Sequence, residues 1–110
     1  VAHNAPFDLA FLRLKEKQIG RQFSHPVLCT VLLSAAMFDH TGAHTLDDLA
    51  GRFGVSIRPE LRHTALGDAV ATAEVFQQML QVMQSEGIAT LRQAIEAEKR
   101  MTQIRRAQNY

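Results

Sequence analysis

Helical periodicity dominates this chain, and only two short apolar stretches depart from it. Val1-Ala2 reads as the end of a buried strand, and Pro26-Val27-Leu28-Cys29 as a second one. Two strands do not make a stable sheet by themselves. The chain is therefore expected either as a small helical domain with one or two vestigial strands, or as an α/β fold from which most of the sheet is missing. Its 110 residues suit one domain.

The rest is punctuated by caps and stops. Asn4 is placed to cap a helix from about Ala5 to Gln18, with Pro6 in its first turn and Phe7, Phe11 and Leu14 on one face. Gly20 is placed to end it. Thr30 opens a helix through Val31, Leu32, Ala35 and Phe38, and Asp39-His40-Thr41-Gly42 is a loop. Thr45 caps a short helix carrying Leu46, Leu49 and Phe53, ended by Gly54; Val55 to Arg62, with Pro59, connects onward. Thr64 caps the longest helix, Ala65 to about Glu86, which Gly87 stops. The apolar stripe expected to be buried on it is Ala69, Ala73, Phe76, Met79 or Leu80, and Met83. A last helix, about Thr90 to Arg106, carries Leu91, Ala94 and Ile95 and turns charged after Ala97, so only its first half is expected to pack. The count is about five helices.

Composition enters mainly by exclusion. No apolar run approaches the roughly 20 residues of a membrane span. The single cysteine, Cys29, cannot form an internal disulfide, which fits a reducing cytoplasm. A formal net charge of +1 says little about partners. Val1-Ala2-His3-Asn4 is neither a Met start nor a signal peptide, and reads as a chain cut within an element.

Two aspartates stand where chemistry is easiest to place. Asp8 falls in the first turn of the first helix; Asp68 falls in the first turn of the longest one, five residues after His63. A helix N-terminus favours an ionised carboxylate by roughly 0.3–1 kcal/mol, and oxygen anions held this way suit hard cations. His63, on the preceding loop, has the chemistry of a general base. On spacing alone, the plainer reading is that both aspartates answer helix dipoles. Other groupings are weaker. His40 and His44 are four apart but flank Gly42 in a loop, and His25 and Cys29 are separated by Pro26. Met79 and Met83 read as core filling, the Arg-rich tail as a solvated face, and Arg58 and Arg62 as candidates to touch phosphates.

The wording of the segments adds a resemblance. His3-Asn4-Ala5-Pro6-Phe7-Asp8-Leu9-Ala10-Phe11-Leu12 resembles the second motif of the DEDD-type 3′–5′ exonucleases, the ribonuclease H-like family that includes the proofreading epsilon subunit of bacterial DNA polymerase III. His63-Thr64-Ala65-Leu66-Gly67-Asp68-Ala69 is similar to that family's third motif in its histidine form. Thr45-Leu46-Asp47-Asp48-Leu49-Ala50 with Phe53-Gly54-Val55 is similar to the stretch between them. The resemblance implies phosphodiester hydrolysis at the 3′ ends of single-stranded DNA or RNA with two divalent ions, Mg2+ or Mn2+. It makes Asp8 and Asp68 metal carboxylates and His63 the base that deprotonates water. Asn4 and Phe7 match positions near the terminal nucleotide, where a phenylalanine can stack on an unpaired base.

The family's first motif, Asp-x-Glu on the first strand, is absent: no Asp-x-Glu occurs in the chain. The three antiparallel strands that normally precede the second motif are absent with it. The resemblance thus implies a truncated ribonuclease H-like exonuclease fold, with residues 1–88 the C-terminal part of the exonuclease domain and 89–110 a helical tail. Such a piece is expected to be inactive alone. A non-catalytic nucleic-acid-binding or protein-interaction module of the same fold is the alternative. An unpaired sheet edge would favour self-association.

Overall fold

A computed structural model describes residues 1–108. Among them are six α-helices and one 3-10 turn: α1 (Ala5–Leu14), α2 (Glu16–Ile19), α3 (Thr30–Met37), α4 (Leu46–Phe53), η1 (Pro59–Leu61), α5 (Ala65–Ser85) and α6 (Leu91–Gln108). No helix is long and apolar enough to cross a membrane among the described residues.

The two expected strands do not form. Ala2 and Cys29 meet in a single parallel bridge, in which Ala2 N–H donates to Leu28 O at 2.9 Å and Thr30 N–H donates to Ala2 O at 3.0 Å. Strand identity depends on a neighbour to pair with, and each run finds only one residue of partner. The described residues therefore hold no sheet, and no sheet edge through which a second copy would pair.

The core lies where α3, α4 and α5 meet. Leu33 from α3, Leu49 from α4, and Val75, Met79 and Met83 from α5 are buried together with Ala94 of α6. α4 forms as its caps dictate. Thr45 Oγ1 accepts from Asp48 N–H while the Asp48 side chain accepts from Thr45 N–H, a reciprocal capping box, and Gly54 ends the helix with φ +67°. α6 packs against α3. Its buried row, Ala94, Ala97 and Met101, continues past the point where the sequence turns charged. Ala94 and Ala97 on that row let the helices approach closely, and Met101 carries the packing onward, so more than the first half of α6 is packed.

α5 buries only part of the expected stripe, Met79 and Met83, and otherwise turns a neighbouring row inward. Gly67, Ala71, Val75, Met79 and Met83 point inward, whereas Ala69, Ala73 and Leu80 are exposed and Phe76 is half-buried. Both rows are apolar at helical spacing and lie roughly 100° apart round the helix. Periodicity finds both and cannot choose between them.

α1 also departs from expectation. It stops at Leu14, one residue before Lys15, and the chain resumes as the single turn α2 rather than running on to Gln18. Phe23 N–H donates to Glu16 Oε1 at 3.0 Å and ties the following segment to that turn. Asn4 makes no side-chain cap. It adopts a left-handed conformation, φ +63°, which turns the chain sharply from the bridge into the helix. Asn tolerates that conformation better than most residues. The apolar face of α1 lies in solvent: Phe7 is 61% and Phe11 58% exposed, their rings edge-to-face with centroids 5.0 Å apart.

Candidate active site

The N-terminal ends of α1 and α5 open onto one cleft of about 870 Å³. Asp8 reaches it from the first turn of α1, Asp68 from the first turn of α5, and His63 from the corner that precedes α5. Both carboxylates are exposed, so each helix end holds its anion without burying it. Arg62 and Asp47 line the same cleft and form an exposed ion pair at 3.3 Å. Arg58 pairs with Glu60 at 2.8 Å.

The corner carrying His63 is a tight turn. Thr64 N–H donates to Leu61 O at 3.1 Å; Arg62 has φ −62° and ψ 135°, and His63 has φ +61°. This is a type II turn with a histidine at the position that ordinarily takes Gly or Asn. Among the described residues only Asn4 and His63 combine a side chain with positive φ.

His3 is a cleft residue that sequence reasoning did not single out. Its Nδ1 lies 2.8 Å from the hydroxyl of Thr30, a residue with no solvent exposure whose backbone N–H also holds Ala2 O. Burial of the ring holds the His3 pKa below the ordinary 6.5, and the charges of Asp68 and Asp8 pull against that shift. The ring thus sits within electrostatic reach of both carboxylates. The signal available in sequence was its place directly before Asn4, at the end of the first apolar run.

Asn4 and Phe7 are not among the cleft walls. Both are exposed, Asn4 at the corner before α1 and Phe7 in the first turn beside Asp8. His44 is buried with Nδ1 on Ser34 Oγ and Nε2 on Asp39 O, both at 2.8 Å, which fastens the 39–45 loop to α3. Cys29 is buried and its Sγ accepts from Ala5 N–H at 3.3 Å. The carboxylate oxygens of the cleft suit a hard divalent ion in kind but not in number. Among the described residues, no three of His, Cys, Asp and Glu lie together in a way that would hold a metal.

The comparison with known families decides what scaffold this is. A family model described as Exonuclease matches residues 1–76, from the bridge through both aspartates to the middle of α5. The chain belongs to the exonuclease family. Within that family it is similar to a DNA polymerase III subunit epsilon-like protein of Rhodobacter capsulatus, 57% identical over 90 residues, 82% of this chain and 13% of that protein. It is also similar to PolC-type DNA polymerase III proteins. That of Caldanaerobacter subterraneus is 40% identical over 91 residues, and that of Thermotoga petrophila 36% over 92; each match covers 83% of this chain and 6% of the relative. The chain therefore spans a small fraction of these relatives' length. No solved structure matches it. The part of the exonuclease family represented here holds Asp8, His63 and Asp68, while all of α6 lies beyond the residues that the family model matches.

Proposed function

We propose that this chain is the C-terminal part of a DEDD-type 3′–5′ exonuclease of the histidine form, acting in the cytoplasm on single-stranded 3′ ends of DNA or RNA. Residues 1–88 are assigned to the exonuclease domain and 89–110 to a C-terminal tail. The observation that supports this reading is the convergence of Asp8, His63 and Asp68 on one cleft from the two ends of the family match. Asp8 and Asp68 are assigned as two of the carboxylates that bind divalent ions, which exonucleases of this family generally use. His63 is assigned to take the proton of the attacking water. Asn4 and Phe7, on the same end of α1 as Asp8, are assigned to the terminal nucleotide.

Two carboxylates do not enclose an ion pair, since ions about 4 Å apart repel strongly and need shared ligands. The lack of a third ligand among the described residues favours a second reading of the chain taken alone, a non-catalytic nucleic-acid-binding module. The experiment follows nucleotide release from a labelled single-stranded oligonucleotide with Mg2+ or Mn2+. The 110-residue chain is expected to release none. Supplying the Asp-x-Glu-bearing strands of a relative, in cis or as a separate polypeptide, is expected to restore release, and Asp68→Ala or His63→Ala to remove most of it again. Turnover by the bare chain that Asp68→Ala abolishes would overturn the incomplete-site reading. Inactivity of the completed protein on every single strand would overturn the nuclease reading.

A further inference from the structure

The turn that carries His63 is held by atoms outside the motif residues themselves. Thr64 Oγ1 donates to Leu61 O at 2.6 Å and accepts from Gly67 N–H at 3.0 Å, so one hydroxyl links the start of the turn to the first turn of α5. Gly67 is buried beneath that carbonyl. A Cβ built on it would stand 2.8 Å from the Leu61 carbonyl carbon and 2.9 Å from Leu61 Cβ, and nearer still to the carbonyl oxygen. These are backbone or near-backbone atoms that cannot rotate aside. From the other side, Arg62 reaches Asp47 at the start of α4. The turn is therefore seated on α5 by the bare Cα of Gly67, clasped by Thr64, and its far corner is His63 in a left-handed conformation that few side chains adopt freely.

We propose that Gly67 is a positioning residue for His63, because the absence of its side chain lets Leu61 lie on α5 and so fixes where His63 enters the cleft relative to Asp68. Asp68 N–H donates to Thr64 O at 2.9 Å, so Asp68 sits on the regular first turn of α5 next to Gly67 and is joined to the end of the turn. A side chain at 67 meets Leu61 at the start of the turn, so it displaces His63 relative to the helix that carries Asp68 and changes a geometric relation that proton transfer at this site depends on. The functional half of this inference rests on the assignment of His63 as the base; the structural half does not.

The test uses the 110-residue chain without metal, by NMR of the histidine rings and of backbone amide exchange. Gly67→Ala is expected to shift the His63 ring resonances and to lower protection of the Thr64 amide by about tenfold or more, as a hydrogen bond is lost. The His3 ring and the methyls of Leu49 and Val75 should not move, which separates positioning from general loosening. Thr64→Val, which keeps the side-chain volume and removes the hydroxyl, is expected to shift His63 in the same way. Thr64→Ser is expected to restore the wild-type spectrum. The Thr64 pair reads the clasp even where Gly67→Ala does not fold. A His63 ring and Thr64 amide that stay put in both Gly67→Ala and Thr64→Val would overturn the proposal, as would shifts of equal size at His3 and the core methyls. Failure of the nuclease reading leaves these shifts in place and shows only as absence of nucleotide release from the completed protein.

Discussion

Glu98 ties α6 to the start of α3, and its substitution by glutamine separates two contributions of opposite sign. Glu98 Oε2 accepts from Cys29 N–H at 3.1 Å, the residue that precedes α3. Burial raises the Glu98 carboxyl from the ordinary 4.5 to about 7, against the opposing pull of the Cys29 N–H and of the Val1 amino group. Below about pH 4.5 the folded and unfolded chains both carry the proton, so the shift has no effect on stability. Between 4.5 and about 7 the unfolded chain ionises first, and above 7 the folded state bears the full cost of a half-buried carboxylate. Stability from this group is thus present at low pH and lost as pH rises. The whole gap corresponds to about 3 kcal/mol; screening by solvent at a half-exposed side chain reduces it to about 1–2 kcal/mol. Glu98→Gln keeps an oxygen for Cys29 N–H and cannot ionise. It is expected to be about 1–2 kcal/mol more stable than the wild type at pH 8, a rise in Tm of about 5–10 °C, and within about 0.5 kcal/mol of it at pH 5. Comparing the two proteins at each pH cancels the opposite effect of His3, whose lowered pKa removes stability as pH falls. Urea or thermal unfolding followed by circular dichroism reads the difference. A Glu98→Gln gain that is the same at both pH values, or a loss at pH 8, refutes the reasoning.

Two further substitutions test the packing. Met79→Ala, at a fully buried core position, is expected to cost about 2–5 kcal/mol, while Phe76→Ala, half-buried on the cleft side, should cost about 1–2 kcal/mol; equal losses in urea unfolding would mean that the two faces of α5 are equally packed. Thr45→Ala removes a hydroxyl that accepts from Asp48 N–H at 3.1 Å and is expected to cost about 1 kcal/mol at pH 7. The Thr45 hydroxyl, and then its N–H, hold the Asp48 carboxyl below its ordinary 3.8. The difference between wild type and Thr45→Ala should therefore shrink as pH falls below 3.8, and a difference that grows on acidification would contradict the capping box.

What sequence disclosed about this chain follows the range of the interactions involved. Caps and stops act over three or four residues, and Thr45, Gly54, Thr64 and Gly20 stand where their chemistry places them. The inward face of α5 was legible only in Met79 and Met83, which are buried as expected, because Ala69–Ala73–Phe76–Leu80 and Ala71–Val75–Met79–Met83 are both regular apolar rows. Only the arrival of α3 and α4 selects the second. The strands failed for the same reason, since pairing is a property of two segments and each of these finds a single bridge. Asn4 shows a third kind of failure: the residue types that cap helices are also those that tolerate positive φ, and here the second property is used.

The lining of the cleft was legible through the motif residues and not through what holds them. Asp8, His63 and Asp68 meet at one cleft as their segments suggested, but His3 with its bond to Thr30, and Gly67 beneath Leu61, depend on contacts that no spacing rule encodes. Among the described residues, the two places where the backbone breaks the local rule for residues with side chains, Asn4 and His63, stand one at each helix end that opens onto the cleft. Left-handed backbone at a non-glycine residue costs of order 1–3 kcal/mol, and a glycine at either position would relieve it. A chain of this size has few such kilocalories to spare. That both strained corners precede a helix whose first turn carries a cleft aspartate is what a scaffold shaped for a site, rather than for stability alone, would show.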